Sequence, residues 1–262
     1  MNYLEQFKGY LKDRKAPLTQ KAYLETVNNY LRYCHNAPSP ENVEQFLSYL
    51  SVKGSCRGRS LNRHLAALRS FFKNILKHKL AIEPYKFERK LPVWLESEDQ
   101  RKLIAACRSP LARAIVITAL GSGIRLSELC SLKVSDVNHR GFLTVMGKGR
   151  KERTIAVPKE VIDEIDHYLE LRTDSNACVF ARSRRTIESI VSETAKRARL
   201  SAKVTPHILR HSYASSFLDK GGQLLHLKEQ LGHTNIQTTN IYIHAKPEQI
   251  KKVMPDVLKG KV

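Results

Sequence analysis

The stretch "TPHILRHSYASSFLDKGG", residues 205–222, decides how the rest of the chain is read. Its apolar residues recur at helical spacing, and Gly221-Gly222 marks its end. It also sets His207 and Arg210 three residues apart, with His211 beside them. Residues three apart are neighbours on one helix face. A helix that packs an apolar side into a core has no structural use for an imidazole and a guanidinium one turn apart. Either this edge is solvated surface or it belongs to a site, and the choice depends on what the other segments supply.

The chain has 262 residues, enough for one large domain or two smaller ones. Its formal net charge is +20, with an isoelectric point near 9.9. The excess is not a tail. Residues 1–90 carry 17 Lys+Arg against 7 Asp+Glu, and residues 91–262 carry 28 against 18, so each part is at +10. Two equally basic parts are expected to touch the same polyanion. The five cysteines (Cys34, Cys56, Cys107, Cys130, Cys178) are scattered and include no CxxC pair. That argues against a disulfide scaffold and a structural zinc site, and places the chain in a reducing, cytoplasmic compartment. "MNYLEQFKGY" lacks the apolar core of a signal peptide. The longest apolar run, "AIVITAL", is far too short to cross a bilayer, so no membrane is expected as partner.

The organisation reads as mainly α with a small β-hairpin, an α+β class. Residues 1–82 hold four amphipathic helices, with Ser39 as an N-cap and Pro40 at the first helical position. Residues 83–95, with Pro84 and Pro92 among charges, read as a linker. Ser97 with Gln100 reads as a capping box opening the second region, 96–262. Glu96, Glu98 and Asp99 there are the densest acidic cluster, and are better explained as helix-start acids than as metal ligands. Helices are expected over 97–107, 111–120, 126–131, 159–171, 186–199, 205–219 and 223–231, and a further one containing "NIQTTNIYIHA". "FLTVMGKGRKERTIAVP" has two β-rich arms around Gly147-Lys148-Gly149, a hairpin stopped by Pro158.

Several polar residues of the second region stand out. Arg125 follows Gly121-Ser-Gly123 where a turn meets a helix, Lys148 sits at the hairpin tip, His233 follows Gly232, and Tyr242 comes nine residues later. Each alone has an ordinary explanation: a solvated charge, a surface lysine, a helix C-cap, a core tyrosine. Together with His207 and Arg210 they match cleavage of a phosphodiester by a tyrosine. A phenol with a pKa near 10 needs help to ionise. The phosphorane carries more negative charge than the ground state and calls for fixed arginine forks. The leaving oxygen needs a general acid. No metal or other cofactor enters this route.

The segments "GSGIRLSELCSLKVSDV", "GKGRKERTIAVP", "HILRHSYAS" and "LGHTNIQTTNIYIH", in this order, resemble those of the tyrosine recombinases of the phage-integrase and Xer type. They anchor about 120 residues, and the helical amino-terminal region resembles the family's core-binding, SAM-like DNA-binding domain. The resemblance implies that Arg125 and Arg210 clamp the scissile phosphate, that Lys148 is the general acid toward the leaving 5′-hydroxyl, and that His207 and His233 assist. Tyr242 would attack, giving a 3′-phosphotyrosyl link that conserves the energy of the cut bond. Glu128 would support the pocket. His211 is not a catalytic position of the family and reads as structural. Tyr213 is a rival nucleophile, but it falls within the packing face of its helix.

DNA contact is expected from Arg57, Arg59, Arg63 and Arg69 in the fourth helix, from Arg150, Lys151 and Arg153 beside the hairpin, and from Arg184 and Arg185 in "RSRR". The partner implied is double-stranded DNA with inverted-repeat half-sites, held by a homotetramer on two sites. Dimer resolution of a chromosome or plasmid, and integration or excision of a mobile element, both fit. A type IB topoisomerase would share the tyrosine chemistry, and a noncatalytic DNA-binding regulator would keep the fold. The tail from Lys246, with Ile250, Val253 and Met254 at helical spacing, packs on its own domain or docks on a neighbouring protomer.

Overall fold

The computed structural model describes residues 2–53, 56–87, 93–147, 151–201 and 203–232. The chain divides into two compact units, residues 1–90 and 91–262.

The first unit contains α1 (Tyr3–Leu11), α2 (Pro17–Tyr33), α3 (Pro40–Val52) and α4 (Gly58–Asn74). The apolar stripes converge on a core with Phe7, Tyr30, Phe46, Leu65, Phe71 and Phe72 at its centre. Burying each such side chain contributes ~2 kcal/mol. Ser39 caps α3 by accepting the Asn42 N–H at 3.3 Å, with Pro40 at the first helical position. After α4 the chain runs back along that helix. The Asn62 side chain donates to the Tyr85 carbonyl and accepts from its N–H, each at 2.8 Å, and Arg69 donates to the Ile82 carbonyl. Residues 80–87 are therefore fastened to the helical unit over much of their length.

The second unit contains α5 (Ser97–Ala105), α6 (Pro110–Ser122), α7 (Leu126–Ser131), β1 (Val137–Asn138), β2 (Phe142–Met146), β3 (Glu152–Ala156), α8 (Lys159–Leu171), α9 (Arg184–Arg197), α10 (Pro206–Asp219) and α11 (Leu224–Leu231). The strands form an antiparallel sheet in the order β1-β2-β3, with Leu143 opposite Ile155 and Val145 opposite Arg153. The sequence announces the hairpin. The two-residue β1 is too short to leave an alternation, and it forms because Val137 pairs with Leu143.

At the centre lies α6, packed against α8, α9 and α10, with Ala114, Ile115, Val116 and Ala119 buried. A helix with no charge from Ala114 to Leu120 belongs in such a place. Three helices start on one local device: Ser39-Pro40, Ser109-Pro110 and Thr205-Pro206 each put a hydroxyl on an orphan N–H and a proline at the first helical position.

The start of α5 departs from expectation. Ser97 is not the N-cap and makes no capping box with Gln100; Glu96 takes the N-cap position without a side-chain cap. The Gln100 amide instead donates to the Leu95 carbonyl at 2.8 Å and to Ser216 Oγ on α10 at 3.0 Å. A tertiary partner outbids the local one. The acids are helix-start acids: Glu98 and Asp99 pair with Lys102, and Glu96 accepts the Trp94 indole N–H at 3.0 Å.

Candidate active site

Arg125 enters the site from the N-cap of α7, two residues after the left-handed Gly123 that ends α6. Three residues into α7, Glu128 is almost fully buried, at 2% exposure. Its carboxylate accepts the Arg125 backbone N–H at 2.8 Å and Arg125 Nη1 at 2.8 Å. It also accepts both ends of the Arg153 fork, Nη1 at 2.8 Å and Nη2 at 2.9 Å. Burial pushes the Glu128 carboxyl up, but the hydrogen bonds from Arg153 and Arg125 outweigh it and hold the group below the usual carboxylate range.

Arg210 comes from the second turn of α10 and is buried at 3% exposure. Its Nη1 donates to the Gly123 carbonyl at 2.7 Å and its Nη2 to the Leu231 carbonyl at 2.8 Å. Arg125 Nη2 donates to the Gly232 carbonyl at 3.0 Å, and Arg153 Nε to the Gln230 carbonyl at 3.3 Å. Three guanidiniums thus grip three consecutive carbonyls, 230, 231 and 232, where α11 ends. The last carbonyls of a helix lack intrahelical donors and carry the negative end of its dipole, so cations settle there. Gly232 closes α11 in the left-handed conformation, at φ +62°, and a Cβ on it would lie 2.9 Å from Arg153 Cζ. Only glycine meets both conditions at low cost.

His207 lies one turn before Arg210. Its imidazole is held below the ordinary histidine value by partial burial and then by the Arg210 and Arg125 charges, which also shows all three as electrostatic neighbours. The lowering favours the neutral imidazole, the form able to take a proton. His211 packs against it, ring centroids 4.3 Å apart. Burial first, then His207 and Arg210, push His211 down to about 4.

Arg125, Glu128, His207 and Arg210 are therefore brought together from α7 and α10, while Lys148, Arg150, His233 and Tyr242 lie outside the described residues. Among the described residues no three of His, Cys, Asp and Glu gather as metal ligands, and no helix is long and apolar enough to cross a membrane. This convergence is joined by the family comparison. Residues 93–249 match the phage integrase family, and residues 3–82 match the phage integrase N-terminal SAM-like domain.

The chain is a tyrosine recombinase of the phage integrase family.

This recombinase is similar to the tyrosine recombinase XerA of Pyrococcus furiosus, at 35% identity over 96% of this chain and 92% of that protein. It is 32% identical to the tyrosine recombinase XerD of Staphylococcus saprophyticus, over 81% of this chain and 80% of that one. The crystal structure of XerA recombinase matches at 30% identity, covering 96% of both chains, with a TM-score of 0.57. The XerH site-specific recombinase bound to a palindromic difH substrate, a post-cleavage complex, has the same fold, with a TM-score of 0.75 at 22% identity over 90% of this chain and 78% of that one.

The residues expected on DNA divide. Arg57, Arg59 and Arg63 are exposed at the start of α4 and along it, and Lys151, Arg184 and Arg185 are exposed on the second unit. Arg69 is half-buried and donates to the Ile82 carbonyl. Arg153 turns inward, its side chain 16% exposed. The reading of Arg153 as a surface cation overlooked a signal that was there. On β3 it alternates in phase with Ile155 and the following Val157, the core-facing positions. Tyr213 packs beside Gly123, Phe217 and Leu231, and burial raises its phenol, which suits packing rather than attack.

Proposed function

We propose that Arg125 and Arg210 bind the two nonbridging oxygens of a scissile DNA phosphate and that Tyr242 attacks it. The Tyr242 oxygen forms a bond to phosphorus as the bond from phosphorus to the 5′ oxygen breaks. The phenol proton passes to His207 or His233, and Lys148 supplies the proton to the leaving 5′ oxygen. The product is a 3′-phosphotyrosyl link and a free 5′-hydroxyl, and reversal on a new strand reseals the DNA without nucleotide hydrolysis. The observation that carries this reading is the meeting of Arg125, Arg210 and His207, with both guanidiniums anchored on the end of the helix that leads to His233 and Tyr242. Backbone anchoring fixes the forks before substrate arrives. Preorganised donors of this kind each contribute about 3–4 kcal/mol of transition-state stabilisation.

The DNA partner is read from the family, and the similarly folded XerH recombinase is solved on a difH substrate. Inverted-repeat half-sites, a homotetramer on two sites, the helical unit as a DNA-binding lobe, and a cytoplasmic location all belong to this proposal. The exposed arginines Arg57, Arg59, Arg63, Arg184 and Arg185, with Lys151 and Arg150, are its DNA contacts. Its chemistry uses no metal.

A suicide substrate with a nick next to the cleavage position tests the reading. The wild type should form a covalent protein–DNA band in excess EDTA, and Tyr242→Phe should bind the same DNA and form none. A band that persists in Tyr242→Phe, or one that requires a divalent ion, would sink the mechanism. Relaxation of plasmids of any sequence would favour a topoisomerase.

A further inference from the structure

Arg153 has no part in the mechanism just described, yet it is built into the site more firmly than a surface arginine needs to be. It stands on the inner face of β3, its fork closes on both oxygens of the buried Glu128, and its Nε reaches the Gln230 carbonyl. The contact with α11 is reinforced from the same strand: the Gln230 side-chain amide donates to the Ala156 carbonyl at 2.6 Å and its oxygen accepts the Ala156 N–H at 3.3 Å. Two of the three consecutive carbonyls at the end of α11 belong to Arg125 and Arg210, the proposed phosphate donors. The third belongs to Arg153.

We propose that Arg153 is a positioning residue of the strand-cleavage reaction, which aims Arg125 through Glu128 and fixes the departure of the chain from α11 through the Gln230 carbonyl. It does so without touching the DNA. The proposal rests on the reading of Arg125 and Arg210 as phosphate donors. Only a planar fork serves both ends of this arrangement, since a lysine ammonium reaches one oxygen at a time. What Arg153 fixes at α11 matters because His233 follows Gly232 directly, and Tyr242 is ten residues beyond it in the sequence. The charged groups that meet Glu128 are Arg125, at the N-terminus of its own helix, and Arg153, from β3. Without Arg153, Arg125 alone would oppose the burial of the carboxyl, which would protonate at a higher pH and loosen its hold on Arg125.

The test compares wild type, Arg153→Ala and Arg153→Lys on a nicked suicide substrate and on an intact half-site. Arg153→Ala should bind the half-site as wild type does, with the same salt slope, and cleave at saturating DNA between about tenfold and a hundredfold more slowly. The acid limb of its cleavage profile should move to higher pH. Arg153→Lys, which keeps the charge, should recover only part of the rate; it also serves if the alanine variant does not fold. Weaker half-site binding with a salt slope shallower by about one and an unchanged saturating rate would make Arg153 a phosphate contact and overturn the proposal. Full recovery by lysine, or an acid limb that does not move, would overturn it too. Wild type that forms no covalent band would remove the reading underneath, an outcome visible before any variant is made.

Discussion

Residues 1–90 and residues 91–262 each carry a net charge of +10, and one group of arginines in each is placed in the opposite way to the other. On the first unit Arg57, Arg59 and Arg63 are exposed about the start of α4, and Arg59 lies over the Phe87 ring at 5.3 Å. In the second, Arg125, Arg153 and Arg210 turn toward one another and are held by Glu128 and by the carbonyls of residues 123, 230, 231 and 232. Exposed cations on a helix attract a polyanion at range and fall off with salt. Cations whose geometry is set by backbone acceptors act at contact, in a fixed direction, and lose little to reorganisation. Equal net charge thus includes exposed cations in the first unit and, in the second, cations held on fixed acceptors.

The largest effect that tests this contrast is at Arg210. Arg210→Ala should lower cleavage of a suicide substrate by at least about a hundredfold while half-site binding changes little. Its melting temperature should also fall, because the Gly123 and Leu231 carbonyls lose their donor. Arg210→Lys should rescue poorly. If half-site affinity collapsed and the rate at saturation held, the buried arginine would be working like the exposed ones and the contrast would fail.

A second effect concerns acid. His211 sits beside Arg210 with its imidazole lowered to about 4, from an ordinary value of 6.5. The folded state therefore binds fewer protons than the unfolded one across this window. The stabilisation is complete above pH 6.5 and is lost as pH falls toward 4, by roughly 3 kcal/mol. His64 in the first unit is also lowered by burial, with Arg63 adding to it, while its ring bonds to Thr26 Oγ1 at 2.9 Å. Thermal melts between pH 7 and pH 4 should show a shallower acid slope for His211→Gln than for wild type. Equal slopes would mean that His211 is not the group that titrates.

The smallest effect belongs to the exposed arginines. Arg57→Ala and Arg63→Ala should each weaken half-site binding evenly across DNA sequences and reduce the salt slope by about one, with the cleavage rate at saturating DNA unchanged. A loss confined to one base position would instead make the residue a base reader.

Much of this architecture was legible along the chain because its signals are local. The serine-proline cap starts α3, α7 and α8 begin and end at the expected residues, and the glycines at 123 and 232 close α6 and α11. The pairing of Arg125 with Glu128 was readable too, since three residues on a helix bring side chains together. Gln100 shows the limit: it satisfies the capping-box pattern, yet Ser216, 116 residues away, takes its amide.

The sequence by itself determined the family, the elements and the residue types that the chemistry requires, because periodicity, caps and motif order are properties of neighbouring residues. Only the tertiary structure decided where each cation is held. Arg125 finds the Gly232 carbonyl 107 residues away, Arg210 finds Gly123 87 residues away, and Arg153 finds Glu128 across 25. A guanidinium is chemically the same on a surface and in a pocket. Its role is set by which acceptors the fold brings within hydrogen-bond distance and by how much water is left around it.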